Sequence, residues 1–200
     1  MSLALNKTTL KQQRDQLKMF KRFLPSLDLK RQQLLAALKQ ARHELAEVER
    51  QIDELWKRLE QVFPLLGSST VATRNLASLV RVRSVPLEEE NVLGTRLPII
   101  RGELEFDVAD YSRLVTPFWV DFLVADLEKL AELRVHLQVR RERVERLDYA
   151  ARRITQRVNL FEKVLIPKAQ ENIRRIVIFL SDQERAAVVR SKIAKNKHAE

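Results

Sequence analysis

The sequence predicts a mainly α chain. Its N- and C-terminal arms form a long antiparallel two-helix left-handed coiled coil, with a small β-hairpin-containing insert at the far end. Three observations carry this expectation. Apolar heptads run through both arms. All three glycines (Gly67, Gly94, Gly102) and four of the six prolines (Pro64, Pro86, Pro98, Pro117) fall between residues 63 and 117. Within that segment a short stretch alternates apolar and polar residues. The chain therefore divides into an arm over 1–62, a compact insert over 63–117, and a second arm with its tip over 118–200.

In the first arm the seam reads Leu10, Leu17, Leu24, Arg31, Leu38, Leu45, Ile52 and Leu59. The companions three residues on are Gln13, Phe20, Leu27, Leu34, Ala41, Val48, Leu55 and Val62. An apolar period of 3.5 buries one narrow stripe against a second helix and gives a left-handed supercoil. Thr8 or Thr9 is the expected N-cap. Pro25 removes an internal hydrogen bond and costs about 3 kcal/mol in a helix interior. The heptad keeps phase across it, which favours a kink with the seam preserved. The arm is expected to end where Phe63-Pro64 meets Gly67-Ser68-Ser69.

The insert contains Val80-Arg81-Val82-Arg83-Ser84-Val85, whose alternation predicts a half-buried strand. Val92-Leu93 and Arg96 to Ile100 read as a second extended stretch, which Pro98 confines to a sheet edge. Glu88-Glu89-Glu90 are placed near the hairpin turn, and Glu103, Glu105 and Asp107 on an exposed strand or loop. The second arm repeats Leu123, Leu130, Leu137, Val144, Ala151, Val158 and Leu165, with Leu133, Arg140, Leu147, Ile154 and Phe161 as companions. The spacing then changes to Ala169, Ile173, Ile176 and Leu180, a stutter that unwinds the supercoil locally, with Pro167 inside it. Ser181 and Glu184 have capping-box spacing, which admits a restart as well as simple continuation.

Two long arms joined by a compact insert run antiparallel. If Val62 faces Leu123, Leu10 faces a position near 175, and the paired length is about 80 Å at 1.5 Å per residue. Residues past about 175 then project beyond the N-terminus. Polar residues on or beside the seam (Arg31, Arg140, Asn159, Asn172, Arg175) lower stability and fix register.

Charge is uneven. Residues 1–62 carry 13 basic and 8 acidic side chains, 63–117 carry 6 and 7, and 118–200 carry 18 and 12. Basic arms first suggest an acidic partner such as nucleic acid, against the plainer reading of a solvated coiled-coil face. No cysteine is present, which excludes disulfide and thiolate chemistry and fits a cytoplasmic setting. No stretch has the run of about 20 apolar residues needed to span a bilayer, and Lys7, Lys11 and Arg14 interrupt any signal-like run. The glycines form no phosphate-binding loop. His43, His136 and His198 are remote from one another, and Asp110-Tyr111-Ser112 has no base tied to it. No catalytic, cofactor or metal constellation is found. Trp56 and Trp119, with Phe118 and Phe122 nearby, either seal the junction of arms and insert or offer an aromatic anchor to a partner. Val82, Val92 and Leu97 join Trp56 and Trp119 as candidates for that contact.

Three stretches resemble a known family. They are Leu27-Asp28-Leu29-Lys30-Arg31-Gln32-Gln33-Leu34, Glu90-Asn91-Val92-Leu93-Gly94-Thr95-Arg96-Leu97-Pro98, and Arg157-Val158-Asn159-Leu160-Phe161-Glu162-Lys163-Val164-Leu165-Ile166-Pro167, the last followed by Ile173 and Asp182-Gln183-Glu184-Arg185. Together they resemble the D subunit, the central rotor shaft of the V/A-type rotary ATPases. Phe161 stands where that family more often has a smaller aliphatic residue, and Thr95-Arg96 where more apolar residues are expected.

The resemblance implies a non-catalytic shaft that carries torque between a nucleotide-binding ring and the membrane rotor ring of a proton- or sodium-translocating complex. The implied partners are the catalytic and non-catalytic ring subunits, the small F subunit of the stalk, and a funnel-shaped subunit on the membrane ring. The implied location is the cytoplasmic face of the membrane, with no cofactor, no nucleic acid and no direct membrane insertion. On this resemblance Lys11, Arg14, Lys18, Lys21, Arg22, Arg174, Arg175, Arg185, Arg190 and Lys192 form the face toward the ring. Two other classes compete: a basic coiled-coil arm that binds nucleic acid, and a stalk protein of the flagellar export ATPase. The latter is usually shorter and lacks a β insert.

Overall fold

The computed structural model describes residues 3–61, 64, 79–109 and 119–197. The expected end of the first arm at Gly67-Ser68-Ser69, the stretch Asp110-Tyr111-Ser112, Phe118 and His198 lie outside the described residues. The elements in chain order are α1 (Lys7–Glu60), β1 (Val80–Ser84), β2 (Leu87–Val92), β3 (Thr95–Ile100), β4 (Glu105–Val108), α2 (Trp119–Leu160), a π-helical turn (Phe161–Leu165) and α3 (Ile166–Lys197). Residues group into two compact units, Gln33–Ala151 and Met1–Gln32 with Arg152–Glu200.

In the unit Gln33–Ala151, α1 and α2 lie side by side and antiparallel. Arg58 reaches Asp126 at 4.0 Å, Arg141 reaches Glu49 at 3.2 Å and Arg42 reaches Asp148 at 3.0 Å. Between them run the heptad side chains Val48, Leu55 and Leu59 against Leu123, Leu130 and Leu133. Leu79, Trp119, Val120 and Val124 join the same cluster. Leu55 is 1% exposed, and burial of such a side chain contributes about 2 kcal/mol. Trp119, 8% exposed, therefore seals this core from within.

The insert consists of two separate two-stranded antiparallel sheets, β1 with β4 and β2 with β3. The insert contains a hairpin, but it is β2–β3 and not the expected pairing of 80–85 with 92–100, and β1 is exposed from Arg81 to Ser84 rather than half-buried. Glu105 and Asp107 belong to β4, paired with β1, so their alternation is that of a strand. Glu88-Glu89-Glu90 lie within β2 rather than at its turn. The turn is Leu93-Gly94, with φ of 53° and 82°, as a type I′ hairpin requires. Asn91 Oδ1 accepts the Gly94 N–H at 2.9 Å and closes it. Pro98 sits on β3, whose only sheet partner among the described residues is β2, as expected for an edge. A leucine in the left-handed region is strained by about 1 kcal/mol. Leu93→Asn is therefore expected to raise the thermal midpoint, by about 1 kcal/mol of stability in a melting experiment.

In the unit Met1–Gln32 with Arg152–Glu200, α1 again meets an antiparallel partner. Phe20 packs edge-to-face on Phe161 with centroids 5.4 Å apart, and Asn172 donates to Gln13 at 3.1 Å. Lys7 reaches Glu184 at 3.8 Å. Leu10 shares a groove with Val177 and Leu180, close to the expected register. The N-cap is Asn6 rather than Thr8 or Thr9: its Oδ1 accepts the Thr9 N–H at 2.7 Å. Asparagine caps better than threonine, and Thr9 supplies the orphan donor.

α1 runs through Pro25, as expected of a preserved seam. A π-helical turn, where the Ile166 N–H donates to the Phe161 carbonyl, ends at Leu165, just before the predicted stutter. The turn lies where the Pro167 ring otherwise presses on the Lys163 carbonyl. α3 is continuous past Ser181 and Glu184, so the restart does not occur.

Candidate interaction surfaces

The basic residues named above are all exposed, and all lie in the unit Met1–Gln32 with Arg152–Glu200. Lys11, Arg14, Lys18 and Lys21 follow one another at steps of three and four, which aligns them on one face of α1 beside the seam. Arg22 lies next to that row. On α3, Arg174 is exposed, Arg175 is paired with Glu171, and Arg185 lies 3.9 Å from Asp182. Arg190 and Lys192 belong to the stretch 182–196, in which every residue is exposed. Surface pairs of this kind contribute little and exchange readily. The groove between α1 and α3, about 510 Å³, has Lys7, Lys11 and Arg14 on its rim and Leu10, Val177 and Leu180 within it.

Selection by charge missed the apolar part of this surface. Met19 and Phe23 on α1, and Val188, Val189 and Ile193 on α3, are between 47% and 67% exposed. Exposed apolar groups of this size mark a binding surface where they form a contiguous patch. The available signal was their place off the heptad seam, where an apolar side chain has no partner in the pair.

In the other unit, the five proposed stalk-partner residues separate. Trp56 and Val82 are exposed, and Val92 is half-buried. Leu97 and Trp119 are covered by their own chain, so they support the surface from beneath and cannot anchor a partner directly. The exposed aromatic at this end of α2 is Phe122, 69% accessible. The seam arginine Arg140 pairs with Glu44 across the two helices, and Arg31 pairs with Asp28 within its own helix. Arg50 forks to Glu47 and Glu54, each at 2.6 Å. Its hydrogen bond holds the Glu47 carboxyl below the usual carboxylate range. That contribution is present above the ordinary glutamate pKa and is lost as pH falls through the lowered one.

Among the described residues no group of three His, Cys, Asp or Glu side chains is placed to hold a metal, and no helix is long and apolar enough to cross a membrane.

The family model that describes the D subunit of ATP synthase matches residues 9–196. The V-type ATP synthase D subunit of Borreliella burgdorferi is 36% identical over 194 residues, covering 97% of this chain and 94% of that protein. The proteins of the same description from Chlamydia pneumoniae and Chlamydia muridarum are 32% identical over 193 residues and 30% identical over 195. These alignments cover 96% and 98% of this chain, and 91% and 95% of the relatives.

Proposed function

The chain belongs to the family of ATP synthase D subunits, and on that premise we propose that it is the central stalk of a V-type rotary ATP synthase. In this role it carries torque between a nucleotide-binding ring and a membrane rotor ring and hydrolyses nothing itself. The observation that carries the reading is the family match over residues 9–196, which takes in both arms and the insert together. A basic nucleic-acid arm or an export stalk accounts for one arm pattern or the other but not for that continuous span.

The physical chemistry of the chain supports the role. A shaft must resist twist, and paired antiparallel helices with a buried, mostly apolar seam do so. It must also bind each ring position differently. Coupling then arises because each shaft angle favours one conformation at each nucleotide site. Exposed Lys11, Arg14, Lys18, Lys21, Arg22, Arg174, Arg175, Arg185, Arg190 and Lys192 make contacts toward the ring that break and reform at low cost. Trp56, Val82 and Val92, joined by Phe122, face the stalk partners, which are the small F subunit and the funnel-shaped subunit. The chain works on the cytoplasmic face of the membrane, as a peripheral part of the complex.

The test is an affinity purification of the tagged chain from its native cells, with the co-purifying proteins weighed by mass spectrometry. Large nucleotide-binding subunits, a small stalk subunit and ATPase activity are expected. Recovery of RNA or of export-apparatus components in their place overturns the reading.

A further inference from the structure

We propose that the β2–β3 hairpin is an arm hinged at Pro86 and Gly102 and held on α2 by a releasable latch made of Arg143 and Arg146. The latch is a matter of geometry within the unit Gln33–Ala151 and is independent of the stalk role. Arg143 donates from one nitrogen to the Pro98 carbonyl at 2.9 Å and from two to Glu90 at 3.2 Å. Arg146, three residues on and so on the same helix face, donates to the Arg96 carbonyl at 2.9 Å. The two guanidiniums thus take carbonyls two residues apart along β3, which alternation points to the same side of the strand. That side is the edge β2 does not cover.

The hold has a polar part and an apolar part. Leu97 and Pro98 are the strand's buried residues, and Val139, with Ile99 and Ile100 nearby, is the apolar group on this face of α2. The side chains of Arg143 and Glu90 keep 20% and 42% of their exposure, so water and salt reach the pair. A two-stranded hairpin is marginal alone and depends on what it packs against.

The other end of the arm is built as a hinge. β2–β3 shares no ladder with β1–β4. The two sheets are joined through Pro86 and Gly102, where the Arg101 N–H donates to the Pro86 carbonyl at 3.0 Å. Gly102 has φ +113°, a conformation closed to other residues. At the tip, Leu93 is held at positive φ, a strain of the kind that gathers at contact and switch sites. Release of two arginines therefore frees a strand pair without disturbing the heptad core beneath.

The test is hydrogen exchange by mass spectrometry on the full chain carrying Arg143→Met and Arg146→Met, which keep the apolar stems. Loss of these charge-assisted bonds is expected to speed exchange of the 87–100 peptide by about tenfold or more, while α1 and α2 peptides keep their protection. Unchanged exchange in that peptide overturns the latch, as does protection lost equally from hairpin and helices. The unsubstituted chain gives a second reading that does not depend on the variant folding. Raising salt from about 50 to about 500 mM is expected to speed exchange of the same peptide selectively, and a salt-independent rate overturns the proposal.

Discussion

A chain ending at Arg175 is expected to lose the coupling of ATP hydrolysis to ion movement while it keeps its stalk partners. In α3 every residue of 182–196 is exposed, and Val188, Val189 and Ile193 keep more than half of their surface accessible. An isolated helical end of that length is marginal in water, so its order depends on whatever surrounds it in the complex. The truncation also removes Ile176, Val177 and Leu180, which frays the first turns of α1 at Leu10. The unit Gln33–Ala151 takes no residue from this segment and keeps its core. The measurement compares ATPase rate, ion transport and retention of the small F subunit in complexes rebuilt with each chain. Equal loss of coupling and of the F subunit refutes the assignment of the two surfaces. A second chain ending at Glu184 retains the Leu10–Val177–Leu180 groove. Its loss of coupling then reports the exposed tip rather than a fold defect.

Much of this was legible in the sequence because a heptad states its own geometry. Every described seam position of the first arm, from Leu10 to Leu59, is buried or half-buried. The same holds in the second arm from Leu123 to Leu165. The change of spacing after Leu165 was visible too, though not the π-helical turn that precedes it. What failed were features decided between residues far apart. Three consecutive glutamates look unlike a strand, yet Glu88-Glu89-Glu90 pair along β3 because the Leu93-Gly94 turn fixes the register. Val139 is off the heptad and 9% exposed, because α2 buries a second face under the hairpin. Nothing local singles out Arg143 and Arg146, since their partners lie about 50 residues earlier. Selection by charge picked residues that are all exposed, but it passed over the exposed apolar groups beside them, whose place off the seam was the signal.

The polar residues on or beside the seam do not all fix register. Arg140 with Glu44 and Asn172 with Gln13 are cross-helix pairs, so each ties one register of its helix pair. A slip by one heptad separates both partners and strands a half-buried guanidinium or amide. Arg175 instead lies exposed beside Glu171, and its head reaches water. Register is thus pinned separately in each compact unit.

That separation leads to the second large effect. Leu55→Ala, at a position 1% exposed in the core of the unit Gln33–Ala151, is expected to cost about 3 kcal/mol there. Ile176→Ala, at a fully covered position of the other unit, is expected to cost a similar amount in that unit. Each deletes buried apolar atoms from one unit, and a cavity is repaired poorly by helices that cannot close without moving their seam. Hydrogen exchange resolved by peptide distinguishes the two. Leu55→Ala should speed exchange across residues 33–60 and 119–151, and Ile176→Ala across residues 7–32 and 152–180. If either substitution lowers protection evenly along the whole of α1, the long helix transmits stability as one cooperative body. A shaft of that kind holds its stiffness against the loss of any single seam contact, whereas two separable units let one end loosen while the other keeps its grip.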